Sequence, residues 1–129
     1  MKARVQMKNK IKSMALLYNI EPRKSAAIGR ICRNNGVIPL ELDTTSAAFT
    51  VGYLCEYEGF DGAFQSCEIA QSEALILSGI QQGTADKILG EIRSSGNSVA
   101  LKAFVTPSNK SWGLGKLVAE LEAEKAKLG

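Results

Sequence analysis

With 129 residues, of which 45% are hydrophobic and 22% charged, the chain fits one soluble globular domain with a core of its own. No apolar run approaches the roughly 18 to 20 residues needed to span a bilayer, and the basic start lacks the apolar stretch and cleavage site of a signal peptide; both point to a cytoplasmic protein. Histidine is absent, which excludes Ser-His-Asp catalysis and leaves a cysteine nucleophile without its usual base.

Residues 1–12 form a basic arm, with Lys2, Arg4, Lys8, Lys10 and Lys12 and no acid, although the whole chain is only +3. From Asn34 to Asp86 there is no Lys or Arg, while Glu41, Asp43, Glu56, Glu58, Asp61, Glu68, Glu73 and Asp86 are all acidic. Such asymmetry suits a solvated arm, an arm docked on an acidic face, or an RNA contact. The aromatic interleaving of a single-strand binder is missing, so nucleic acid is not the favoured partner.

The single domain then runs from 13 to 129. Ser13 to Ile20 reads as a buried strand, short and apolar. Pro22 suits the first turn of a helix, whose apolar stripe is Ala27, Ile28, Ile31 and Cys32. Gly36 ends it as a residue able to take positive φ. Val37 to Leu42 is a second strand, with Pro39 marking an edge. Across 43–72 a short helix, capped by Thr44 or Thr45 and running through Leu54, precedes a loop that Phe60 and Phe64 are expected to pin to the core. Glu73 to Ile80 is a third strand. Thr84 is the expected cap of a helix over 85–95 with Ile88, Leu89 and Ile92 on its core face, and Gly96 stops it. Val99 to Val105 is a fourth strand, with Val99, Leu101, Ala103 and Val105 on one face and Lys102 and Phe104 on the other. Asn109 or Ser108 caps a last helix with an apolar stripe of Leu114, Leu117, Val118, Leu121 and Leu128.

A repeat at a fixed offset organises these elements, read as an internal duplication, with convergent βαβ patterning as the alternative. Leu17 meets Leu77, Ile20 meets Ile80, Ile28 meets Ile88, Arg33 meets Arg93 and Gly36 meets Gly96. The copies span 13–42 and 73–105, and each is a strand, a helix, a glycine stop and a second strand. The expected fold is therefore α/β, a four-stranded sheet from two tandem βαβ units plus a C-terminal helix, with right-handed crossovers. A ferredoxin-like α+β arrangement with interleaved antiparallel halves is the alternative.

Three segments carry a resemblance: Leu16-Leu-Tyr-Asn-Ile20, Val51-Gly-Tyr-Leu54, and Leu101 to Trp112 with its K-A-x-x-T-P-x-N-x-x-W pattern. Together they resemble an uncharacterised bacterial domain-of-unknown-function family, from about residue 14 to the last helix. The resemblance implies a small cytoplasmic α/β protein and no activity. Glu21, ahead of Pro22, departs from the better helix cap, such as Asp, expected there.

Cys32, Cys55 and Cys67 are odd in number and widely spaced, a poor match to zinc, and read as reduced thiols. No cofactor, metal or catalytic residue is expected. If the sheet is largely parallel, its strand ends share one edge. That edge would gather Asn19, Ser78, Gly79, Thr106, Ser108, Asn109 and Lys110, with Glu21 nearby. The junction 106–111 would then hold a small anionic ligand at a helix start, in a binding or regulatory module. The alternatives are a protein–protein interaction module or homodimer, an RNA contact through the arm, and an enzyme working without histidine.

Overall fold

The computed structural model describes residues 11–63 and 69–128. Phe64, Cys67 and most of the basic arm lie outside the described residues. Four strands, β1 (Met14–Tyr18), β2 (Ile38–Leu42), β3 (Ala74–Ser78) and β4 (Leu101–Phe104), form one sheet in the order β2-β1-β3-β4. The helices are α1 (Pro22–Asn34), α2 (Val51–Leu54), α3 (Gln82–Ser94) and α4 (Leu114–Leu128), with a short 3-10 turn over Thr44–Ser46. This is an α/β fold built of two βαβ units and a C-terminal helix. Among the described residues no helix is long and apolar enough to cross a membrane.

The two units are antiparallel to each other. β1 pairs parallel with β2, and β3 parallel with β4, but β1 runs against β3. Met14 lies opposite Ser78, Leu16 opposite Ile76, and Tyr18 opposite Ala74. At the duplication offset Leu16 is itself equivalent to Ile76, and Met14 to Ala74. The register therefore describes a local two-fold rotation about the Leu16–Ile76 pair that exchanges the two units. The strand ends consequently split between two edges of the sheet, and the single shared edge expected from a largely parallel sheet does not form.

Every residue of β1 and β3 is buried, as expected of central strands covered on both faces. Ala15, Leu17, Leu75 and Leu77 meet α1 and α3 through Ile28, Cys32, Ala85, Ile88 and Ile92. Leu16, Tyr18, Ala74 and Ile76 meet the other layer through Val51, Leu54, Leu114, Leu117 and Val118. Val99 fills the α1/α3 core while Leu101 fills the opposite one. It precedes β4 rather than sharing a face with Leu101, because β4 begins only at Leu101.

Local signals set the helix ends. Pro22 occupies the first turn of α1, and the Glu21 carboxylate accepts from the N–H groups of Arg23 and Lys24 at 2.9 and 3.2 Å. Glu21 is thus a working cap that places negative charge at the helix start. α3 begins at Gln82, ahead of the expected Thr84 cap, and Gln81 makes no side-chain cap bond there. Both helices end identically. Val37 N–H reaches Cys32 O and Gly36 N–H reaches Arg33 O; Asn97 N–H reaches Ile92 O and Gly96 N–H reaches Arg93 O. This double bond pattern needs a left-handed residue after the helix, and Gly36 and Gly96 supply it at φ +75° and +80°.

The edge strand β2 is guarded against further pairing. Ile38 N–H donates inward to Ser13 O, so by alternation Pro39 and Glu41 present their backbone outward, and Pro39 has no N–H to offer.

Two sets of substitutions follow. Leu16→Ala and Ile76→Ala should each cost about 2–5 kcal/mol in urea unfolding, because both side chains are fully buried at the seam. Gly36→Ala and Gly96→Ala should each cost about 1 kcal/mol although a Cβ would meet nothing there, because φ is positive. Gly83→Ala, equally open but at ordinary φ in α3, should instead raise stability by up to about 1 kcal/mol.

Candidate functional site

The candidate site builds up from the ends of β3 and β4. Leu77 faces Phe104 in the parallel ladder, which sets Ser78 and Gly79 beside Val105 and Thr106. Six of the seven expected residues therefore share this edge: Ser78, Gly79, Thr106, Ser108, Asn109 and Lys110. Asn19 does not join them. It follows β1, which runs the other way, and at the opposite edge its side-chain amide donates to Gln71 O at 2.5 Å. Asn19 and Gly79 are equivalent in the duplication, and both take positive φ, +56° and +66°. Gly79 is not replaceable in the same manner. A Cβ there would lie 2.5 Å from Lys12 O.

The segment after β4 is a closed turn. Thr106 N–H donates to Asn109 Oδ1 at 2.8 Å, and Asn109 N–H donates to Thr106 Oγ1 at 3.1 Å. Asn109 Nδ2 donates to Phe104 O at 3.1 Å. Lys110 N–H reaches Thr106 O and Trp112 N–H reaches Asn109 O. Asn109, buried at 8% exposure, thus caps the turn rather than a helix, and α4 starts only at Leu114. At the start of α4, Leu114 donates to Phe49 O, Gly115 to Ala47 O and Leu117 to Gly113 O. Most of the amides that would hold an anion at this helix start thus already donate within the protein.

The same bonds tie this turn to the middle of the chain. Val51 N–H donates to Trp112 O and Gly52 N–H to Lys110 O at 2.7 Å. A Cβ on Gly52 would lie 2.9 Å from Lys110 O and 2.8 Å from the Phe60 ring. Val51-Gly-Tyr-Leu54 and the Thr106 to Trp112 pattern are therefore one structural unit. Phe60 packs against it. Trp112 is half-buried against the core, with Lys116 Nζ 4.7 Å from its ring centroid.

Four further residues complete the edge. Tyr57 hydroxyl meets Ser78 Oγ at 3.1 Å, and Lys110 Nζ lies 5.7 Å from the Tyr57 ring centroid. Lys12 pairs with Glu56 at 2.6 Å, and Ser13 Oγ donates to Gly79 O. Tyr57 lies in a stretch with no periodic signal, so sequence gives no hint that its hydroxyl reaches a strand end.

At the opposite edge Lys24 pairs with Glu73 at 2.6 Å, and Glu21 N–H also donates to Glu73. Partial burial pushes the Glu73 carboxyl up, but the Lys24 hydrogen bond, the Glu21 N–H and the Lys24 charge outweigh it and hold Glu73 below its ordinary value. Beside Glu73 a groove of about 570 Å³ runs between the start of β4 and α4, lined by Ser72, Leu101, Glu122 and Lys125. Burial pushes the Cys32 and Cys55 thiols up to about 11. Neither is a thiolate near neutral pH, so neither is an activated nucleophile.

Residues 73–128 match the model of a family described as Domain of unknown function (DUF3783), which supports a place for this segment in an uncharacterised family. The match covers β3, α3, β4 and α4, that is, the second unit with its C-terminal helix. No curated protein and no solved structure matches the chain.

Gly52→Ala should cost about 1–3 kcal/mol, since a backbone carbonyl and a ring must both retreat. Part of the pH dependence of stability should come from Glu73, alongside Asp43, whose carboxyl the Thr45 hydroxyl and N–H also hold low. The folded-state pKa of Glu73 is depressed, so its contribution is present above the ordinary carboxyl value of about 4.3 and is lost as pH falls below it. Urea midpoints from pH 6 to 3 should fall less steeply for Glu73→Gln than for the wild type.

Proposed function

We propose that the protein is a small cytoplasmic binding module, without catalytic chemistry, that takes a small anionic ligand at the β3/β4 edge through Lys110. The observation that carries this reading is the state of the Lys110 ammonium. Lys110 as a residue is half-buried, its Nζ lies over the Tyr57 ring, and no carboxylate pairs with it among the described residues. A cation without a counter-charge beside it gains by binding an anion. With the amides of Thr106, Asn109, Lys110 and Trp112 engaged, recognition falls mainly to side chains. Ser108 and Ser111 flank Lys110, both exposed, and among the described residues neither hydroxyl makes a hydrogen bond.

Cys32 and Cys55 support a reducing compartment. They are free and buried on opposite faces of the sheet, where they cannot pair with each other. Their unactivated thiols also favour binding over catalysis.

Thermal unfolding at low salt with phosphate, citrate and nucleotides tests the proposal. At a concentration about 100 times its dissociation constant, a bound anion should raise the midpoint by several degrees. Lys110→Gln should unfold at the wild-type temperature without ligand and lose the rise. No shift with any of these anions, or an equal shift in Lys110→Gln, would remove Lys110 as the site.

A further inference from the structure

The internal duplication supplies a control that most chains lack. α1 and α3 are equivalent helices of 13 residues each, packed on the same face of the sheet. Their buried positions correspond: Ser25 with Ala85, Ile28 with Ile88, and Cys32 with Ile92. Whatever the fold demands of a helix here, both copies satisfy it. Differences on their outer faces are therefore free of that demand.

The outer faces differ in charge. α1 carries Arg23, Lys24, Arg30 and Arg33 and no acid. At the equivalent positions α3 has Gly83, Thr84, Gly90 and Arg93. Arg33 and Arg93 are shared and sit in the last turn, where a cation favours the helix terminus. Lys24 is committed to Glu73. Arg23 and Arg30 have neither explanation. Both are exposed, neither has a carboxylate partner among the described residues, and α3 forms the same helix with glycine in their place. They stand on the face opposite the buried residues, whereas Arg33 lies about 80° further round the helix from Arg23 and turns its guanidinium back over Gly29 and Pro39.

We propose that the outer face of α1 is a docking surface for the phosphate backbone of a nucleic acid, contacted without reading its sequence. At 1.5 Å per residue, Arg23 and Arg30 are about 10 Å apart along the helix. That span matches about three nucleotide steps of 3.4 Å on one strand. Guanidinium groups suit phosphate because their planar fork can donate two hydrogen bonds at once. α1 contains no aromatic side chain on which a base could stack. The face thus offers charge and planar donors suited to phosphates, and no aromatic surface for stacked bases. The site is separate from Lys110, which lies among the loops of the opposite layer.

Fluorescence anisotropy with the full-length protein tests this. The probes are a labelled 20-base-pair DNA duplex and a single-stranded RNA of equal length, each of arbitrary sequence, at 50 and 200 mM salt. With two phosphates neutralised by Arg23 and Arg30, the α1 contribution to the log–log salt slope on duplex should be about −1.8. Arg23→Ala with Arg30→Ala should weaken binding about tenfold or more at low salt and make the slope less steep by about 2. Lys125→Glu with Lys127→Glu, on exposed positions of α4, should leave affinity within about twofold on the same salt scale. The DNA and RNA arms identify which backbone is held. Three results would overturn the proposal: no binding to either probe at low salt, equal loss in the α4 variant, or undiminished binding by the α1 variant together with loss on removing residues 1–10. The last would move the contact to the arm. Thermal unfolding of the α1 variant checks folding, and α3 indicates that the helix forms without those arginines.

Discussion

The antiparallel ladder between β1 and β3 is the constraint on which the rest of the structure depends. Its five residue pairs join two βαβ units whose other strand pairings are internal. Because Leu16 faces Ile76, its counterpart at the repeat offset, the two units are related by a local rotation rather than stacked in tandem. That rotation places α1 and α3 together on one face of the sheet. It leaves the other face to be covered by elements outside the duplication, namely α4 and the segment around α2. The deepest apolar side chains lie along this seam and in the two layers it separates.

The same constraint divides the chemistry. One edge gathers the end of β3, the turn after β4 and the Lys12–Glu56 pair. The other gathers Asn19, Gln71 and the Lys24–Glu73 pair. Each edge is closed by contacts between distant parts of the chain, so neither is the open crevice of a parallel sheet. What distinguishes the halves is then informative. The second unit adds the Thr106–Asn109 turn and α4, while the first adds the arginines of α1. Lys110 and Arg23/Arg30 are cations that the shared architecture does not account for, on opposite layers of the molecule.

Much of the fold was legible in the sequence because it rests on local rules. Pro22 and the glycine stops at 36 and 96 marked the helices, and the repeat marked the units. The direction of the second unit relative to the first was not legible. β1 and β3 are apolar on both faces, so parallel and antiparallel pairing satisfy the pattern equally. The stretch from 43 to 72 is long enough to allow either. The start of α4 was misplaced because Asn109 resembles a helix cap. Its side chain instead closes a turn on Thr106, and the helix takes its first partners from Phe49 and Ala47, far away in sequence. Six of the seven expected site residues share an edge because they belong to one unit. Asn19 was grouped with them only through the assumption of a parallel sheet. Tyr57, Lys12 and Glu56 reach the edge through tertiary packing that no short-range pattern encodes.

Native-state hydrogen exchange tests the central claim most directly, namely that the β1–β3 seam makes two units into one cooperative core. The amides of Met14–Tyr18 and Ala74–Ser78 should be the slowest in the molecule, opening together with the same dependence on denaturant. If one unit stayed protected while the other exchanged through a separate, lower-energy opening, the seam would be a late contact between independent halves, contradicting the account.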